Sequence, residues 1–270
     1  MMLELGWTRS LNDPQVFVHR ATGSVLVAHV DDIVMTSAKD EQERLRNEIS
    51  GKMKMKWGEE IRLGAWTKFL GREWTRRADP GGEKDAFAVR CPERYFEAIL
   101  EQHGLKTCRP VVTPDEPERQ EDRTPLLDAA THRRYRSTVG ALMWVIAERP
   151  DIANTIRSLA RGAAHPTEGQ WARVKRLLRY VRGTSALELE LSLCGSRDSI
   201  EVLGIADAAW ASGTDRKSVS GGVLMVDGML LETFSKTQVS FAQSTCEAEL
   251  VALNTVACEA KAIAALLEEI

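Results

Sequence analysis

Val25-Leu26-Val27-Ala28-His29-Val30-Asp31-Asp32-Ile33-Val34-Met35 is an apolar, β-branched stretch with two adjacent carboxylates near its middle. Branched side chains favour strands and aspartate tolerates turn backbone, so the stretch reads as a hairpin with Asp31 and Asp32 at its turn. Hydrophobic strands on both sides imply that these charges sit on an otherwise buried sheet, where a carboxylate pair needs a counter-ion. Mg2+ suits them, because it takes oxygen ligands and often binds through one or two carboxylates plus substrate phosphates. A solvated hairpin turn is the competing explanation for the same two residues.

After the hairpin, residues 37–53 carry few apolar side chains but charges at helical spacing, with Asp40 and Glu41 early and Lys52 late, as the helix dipole favours. A mostly exposed helix is expected there. Lys54 to Trp74 reads as two short strands about a turn at Gly64, and includes Phe69-Leu70-Gly71. Pro80-Gly81-Gly82 marks a loop over 77–84. Tyr95, Phe96, Ile99 and Leu100 form a helical stripe that Gly104 stops. The stretch from Pro110 to Pro125 has four prolines and almost nothing apolar, which makes it the best linker. Helices are then expected over 135–147, 150–161 and 167–181. From Ile200 the period changes to strands over 200–207, 218–226 and 229–234, the last two joined by the hairpin signal Asp227-Gly228. A long Ala/Leu/Glu-rich helix over 244–270 completes a β-β-β-α order.

With 270 residues, 43% of them hydrophobic, the chain can fill one large core or two ordinary ones. A net charge of -3 excludes both a polycation and an acidic disordered chain. The charge is uneven: residues 131–183 hold 11 basic and 3 acidic side chains, whereas 185–270 hold 5 and 13. The five cysteines are scattered, which disfavours a disulfide framework or zinc site and points to free thiols in a reducing, intracellular compartment, cytoplasmic or nuclear. The longest apolar run, residues 139–147, is too short to span a bilayer, and the N-terminus lacks a signal-peptide core, so no membrane segment is expected.

Two further carboxylates draw notice. Asp207 ends an apolar strand on the face of Leu203 and Ile205. In the final helix Ser244 and Glu247 fit a capping box, which leaves Glu249, about 200° around the helix from Glu247, without a structural role. A carboxylate from a central strand and one from the following helix make half of a two-metal nuclease site. The helix over 171–182 places Arg173, Arg176 and Arg179 on one stripe, with Lys175 and Arg182 nearby, and has no acid. Such a cationic face suits a phosphate backbone, although a solvated helix face is the commoner origin.

These residues also resemble a known family. Leu5-Gly6-Trp7, His29-Val30-Asp31-Asp32, Phe69-Leu70-Gly71, Tyr135-Arg136-Ser137-Thr138-Val139-Gly140, Arg149-Pro150-Asp151-Ile152, Lys175 to Thr184, Asp207-Ala208-Ala209-Trp210, Ser218 to Gly222, Ser235 to Gln238 and Ser244 to Glu249 are similar, in order, to the Pol polyprotein of copia-type LTR retrotransposons. The matching part is the end of the reverse transcriptase and the start of its ribonuclease H. The resemblance implies an α+β fold: a partial polymerase palm and primer-holding region over 1–113, a linker and basic helical thumb or connection over 114–195, and a truncated ribonuclease H-like βββα unit over 196–270.

It further implies that Asp31 and Asp32 are the polymerase's metal-binding pair, that Phe69, Leu70 and Gly71 hold the primer end, and that Asp207 and Glu249 are the first two ribonuclease H carboxylates. Mg2+, replaceable by Mn2+, is the implied cofactor. An RNA/DNA hybrid or other nucleic acid and the rest of the Pol polyprotein are the implied partners. His29 stands where the family has Tyr, and Cys246 interrupts its usual S-T-E-A-E. Both active sites are expected to lack a carboxylate, so the chain is expected to be inactive alone. A non-enzymatic nucleic-acid-binding module that uses Arg173, Lys175, Arg176, Arg179 and Arg182 is the alternative.

Overall fold

The computed structural model describes residues 2–78, 85–116, 124–192, 199–212 and 216–270. Helices and antiparallel sheets alternate in blocks, as expected of an α+β chain. Packing divides it into two units, one running to Glu60 together with Asn254–Ile270, the other Ile61–Leu253.

In the first unit, strands β1 (Trp7–Arg9), β2 (Val16–His19), β3 (Ser24–His29) and β4 (Asp32–Thr36) form an antiparallel sheet in chain order, followed by helix α1 (Lys39–Lys52). The register puts Phe17, Leu26 and Met35 on one face. There Trp7 and Leu26 meet Leu45 and Ile49, which lie one turn apart on α1, in a common core. The expected helix and hairpin are both present.

The second unit begins with a sheet of β5 (Thr67–Phe69), β6 (Arg72–Ala78), β7 (Asp85–Arg90) and β8 (Leu189–Leu191), ordered β5-β6-β7-β8. Its first turn is not at Gly64 as expected. The chain reverses at Leu70–Gly71, with φ of 49° and 74°, because a two-residue turn with both φ positive matches the twist of the strands it joins. Gly64 instead sits beside an isolated parallel bridge between Leu63 and Arg76. β6 extends to Ala78, into the expected loop, whose residues 79–84 lie outside the described residues. β7 and β8 have no counterpart in the sequence reading.

Helices α2 (Glu93–Gln102), α3 (Ala129–Met143), α4 (Pro150–Arg161) and α5 (Glu168–Thr184) share one core built on Phe96, Tyr135, Leu142, Ile156, Leu159 and Leu177. Each end has a chemical reason. Asp128 accepts hydrogen bonds from the Ala130 and Thr131 amides, Thr167 and Gln170 form a capping box, and Gly104 at φ 64° closes α2 while the amides of Gly104 and Leu105 donate to Glu101 and Leu100. Buried Arg149 ties α4 to the end of α5, donating to both Asp151 carboxylate oxygens (2.9 and 2.7 Å) and to the Thr184 carbonyl and hydroxyl (3.0 and 2.8 Å).

Last come β9 (Val202–Ala209), β10 (Val219–Val226) and β11 (Met229–Thr237), with the β10–β11 turn at Asp227–Gly228 as expected, and then α6 (Thr245–Glu269). The sheet order is β11-β10-β9, so the strand carrying Asp207 is an edge strand rather than the central one expected. α6 also corrects the bilayer reading. By length and composition alone it could span a membrane, a test that core helices of soluble proteins also pass. A count of uninterrupted apolar residues missed it because Asn254, Thr255, Glu259 and Lys261 break the run.

Candidate nucleic-acid interface and carboxylate sites

The β3–β4 hairpin turns at Val30–Asp31, with His29 paired to Asp32. Asp31 and Asp32 are both exposed, not set on a buried sheet as expected: Asp31 lies in the turn itself, and Asp32 opens β4 at a tip where His29 and Val30 are exposed too. Val30 is 94% exposed at φ 58°, in the first loop position, where hairpins with a positive φ favour glycine. The two carboxylates at this tip are oxygen donors, which suit a hard cation, and His29 stands opposite Asp32. Among the described residues, no group of three or more His, Cys, Asp or Glu could hold a metal ion, so any ion at Asp31 and Asp32 relies on water for most of its shell.

Asp207 and Glu249 are likewise exposed. The register sets Asp207 opposite Gly221, on the other sheet face from Ser220. On the Ser220 side, buried Gln238 donates to Ser220 Oγ (2.9 Å) and to the Ala248 carbonyl of α6 (2.8 Å). Glu247 has the capping role expected of it: its amide donates to Ser244 Oγ at 3.2 Å, and its carboxylate accepts from the Gln243 amide at 2.7 Å. The four described cysteines, Cys91, Cys108, Cys246 and Cys258, are free, and burial pushes the Cys91 thiol up to about 12. Cys194 lies outside the described residues.

The cationic stripe of α5 has the expected spacing, but the chain itself occupies it. Arg173 grips both Asp115 oxygens (3.0 and 2.5 Å), and Arg176 binds Glu116 and Thr113 Oγ1. Arg179 and Arg182 donate to the carbonyls of Arg109 and Lys106, each at 2.9 Å. A Cβ on Gly183 would stand 2.8 Å from Pro110 Cβ, so the segment over 106–116 lies close against the helix. Lys175 is exposed. Nucleic acid reaching the four arginines has to displace that segment.

An open face the sequence reading missed runs along α3. Arg133, Arg136, Ser137 and Gly140 are exposed there, and Met143 and Trp144 continue the stripe at 49% and 41% exposure. Tyr135, Thr138, Val139 and Leu142 face the core. A Cβ on Gly140 would meet nothing within 4 Å, so the middle of the stripe is low and accessible. At its far end Trp144 abuts the Leu70–Gly71 turn: a Cβ on Gly71 would be 3.0 Å from its ring. Leu70 is itself 41% exposed, and Phe69 pairs with Arg72 at the strand end. Two cations, a small-residue middle and an aromatic end form one surface with residues 69–71. The spacing i, i+3, i+4, i+7, i+11 was available in the sequence, but the apolar run over 139–147 drew attention to the buried side.

No family model and no solved structure matches the chain. It is 29% identical over 264 residues to the retrovirus-related Pol polyprotein from transposon TNT 1-94 of Nicotiana tabacum, across 91% of this chain and 18% of that protein. It is 26% identical over 275 residues to the corresponding polyprotein from transposon RE1 of Arabidopsis thaliana, across 100% of this chain and 18% of that one. The secreted RxLR effector protein 161 of Plasmopara viticola is 34% identical over 128 residues, which cover 47% of this chain and 88% of the effector. The chain thus spans 18% of the length of the two Pol polyproteins. Over nearly its whole length, then, the chain is similar to part of the retrovirus-related Pol polyproteins of plant transposons.

Proposed function

We propose that the chain is a nucleic-acid-binding part of a retrotransposon reverse transcriptase and ribonuclease H, and that RNA/DNA hybrid is its ligand. The observation that carries this reading is the α3 face and its junction with the Leu70–Gly71 turn. Cations at one end suit phosphates, which give sequence-independent affinity, and an exposed aromatic edge at the other suits sugar and base contact. The stripe over 173–182 is the second cationic face, available where residues 106–116 yield it.

Asp31 and Asp32 would hold Mg2+ on the polymerase side, whereas on the ribonuclease H side Asp207 and Glu249 would each offer a single carboxylate, Asp207 from the sheet face turned away from α6 and Glu249 from α6 itself. The ion, when bound, neutralises charge on the transferring phosphate. A two-carboxylate site such as Asp31–Asp32 fits a weakly held, largely hydrated ion. Ultraviolet crosslinking of the protein to a mixed-sequence RNA/DNA hybrid tests the reading. Adducts should map to residues 133–144 and 69–71; adducts confined to other segments, or none, would remove α3 as the interface.

A further inference from the structure

The Leu70–Gly71 turn is fastened to the end of α3 by three side chains. The Arg72 guanidinium lies 3.4 Å above the Trp144 ring and donates from Nη2 to the Trp144 carbonyl at 2.5 Å. Its Nε stands 2.5 Å from Glu148 Oε1, an ion pair whose side chains are 12% and 9% exposed. That pair is close without the alignment of a hydrogen bond, and Arg72 Nη1 and Glu148 Oε2 are also buried with no hydrogen-bond partner among the described residues. Tyr95 packs its ring 4.7 Å from Trp144 and donates to the Ala141 carbonyl at 2.9 Å. On the turn, Gly71 has φ 74° and passes so close to Trp144 that a larger residue would push the ring away.

An incompletely satisfied, buried ion pair is a poor way to stabilise a core, since apolar residues of similar volume do as well or better. It is a good way to fix one geometry, because a planar guanidinium has few orientations that stack on a ring and face a carboxylate at once. We infer that Arg72, Trp144 and Glu148 form a positioning clamp that holds the Leu70–Gly71 turn in register with the outward face of α3, so that turn and helix engage one stretch of nucleic-acid backbone together. Arg72 and Glu148 act through this placement and do not touch the ligand. The inference rests on the nucleic-acid reading given above.

The sign of one substitution separates placement from plain electrostatics. Glu148→Gln removes a negative charge near the interface, so charge alone makes binding to a polyanion tighter. Loss of the clamp makes it weaker. Affinity of the full chain for a fluorescein-labelled RNA/DNA hybrid, measured by anisotropy below the melting transition of each protein, should fall on the order of tenfold for Glu148→Gln. Arg72→Lys, which keeps the charge but not the planar stack, should fall similarly, with the slope of log affinity against log salt unchanged because no phosphate contact is lost. Either variant reports independently should the other not fold. Binding as tight as, or tighter than, that of the unsubstituted chain in both variants overturns the clamp and leaves the nucleic-acid reading intact. A slope that drops by about one in Arg72→Lys also overturns it, making Arg72 a phosphate contact. No binding by the unsubstituted chain overturns the nucleic-acid reading and the clamp with it.

Discussion

Val30 holds a left-handed backbone, φ 58°, that β-branched side chains avoid, at the tip of the hairpin that presents Asp31 and Asp32. Asparagine visits this region readily, so Val30→Asn should raise unfolding free energy by about 1 kcal/mol in urea titration. An unchanged or lower value would mean that the tip is not strained. Arg149 is the opposite case, a buried cation whose three guanidinium nitrogens all donate, to Asp151 and Thr184. Arg149→Ala leaves the Asp151 carboxylate without its partner and should cost about 3 kcal/mol. Burial works to raise the Asp151 pKa, but the Arg149 hydrogen bond and charge, aided by the Tyr180 hydroxyl, outweigh it and hold it below the ordinary aspartate value. A carboxyl with a depressed folded-state pKa stabilises the fold above its ordinary value and loses that contribution as pH falls through the depressed one. Stability should therefore decline as pH drops below about 4 in the natural chain, and decline less in Asp151→Asn. The motif Arg149-Pro150-Asp151 was visible in the sequence, but its task was not, because Thr184 lies 35 positions away.

At the scale of elements, the two glutamates of α6 separate cleanly. Ser244→Ala and Glu247→Gln should each lower stability by about 0.5 to 2 kcal/mol, as cap losses do, while Glu249→Gln leaves the melting curve in place. Equal losses from Glu247→Gln and Glu249→Gln would assign Glu249 a structural role. Local signals of this kind were legible in the sequence: the S-x-x-E box, Asp227-Gly228, the Gly104 stop and the arginine spacing of α5 all appear where short-range chemistry puts them. The rest depended on distant partners. Residues 106–116 cover the α5 arginines from about 60 positions upstream, β8 returns to β7 only after four helices, and β9 is an edge strand because nothing in this chain pairs with its outer side among the described residues. Periodicity shows which side of a helix is polar, not what covers it.

For the whole molecule, the order of its blocks and its α+β class were readable from sequence, whereas the carboxylates' exposure and the open α3 face were not, since both depend on where strands end and helices pack. Calorimetry with Mg2+ should find at best weak binding, and a submicromolar site abolished by Asp207→Asn would show that other groups complete the shell. The central claim, that the chain binds nucleic acid through the outward face of α3, is tested most directly by hybrid affinity as a function of salt. Log affinity for a labelled RNA/DNA hybrid should fall linearly with log salt between roughly 50 and 200 mM, for any sequence, and Arg133→Ala/Arg136→Ala should flatten that slope by up to about two. No binding at low salt, or a slope that the double substitution leaves unchanged, would contradict it.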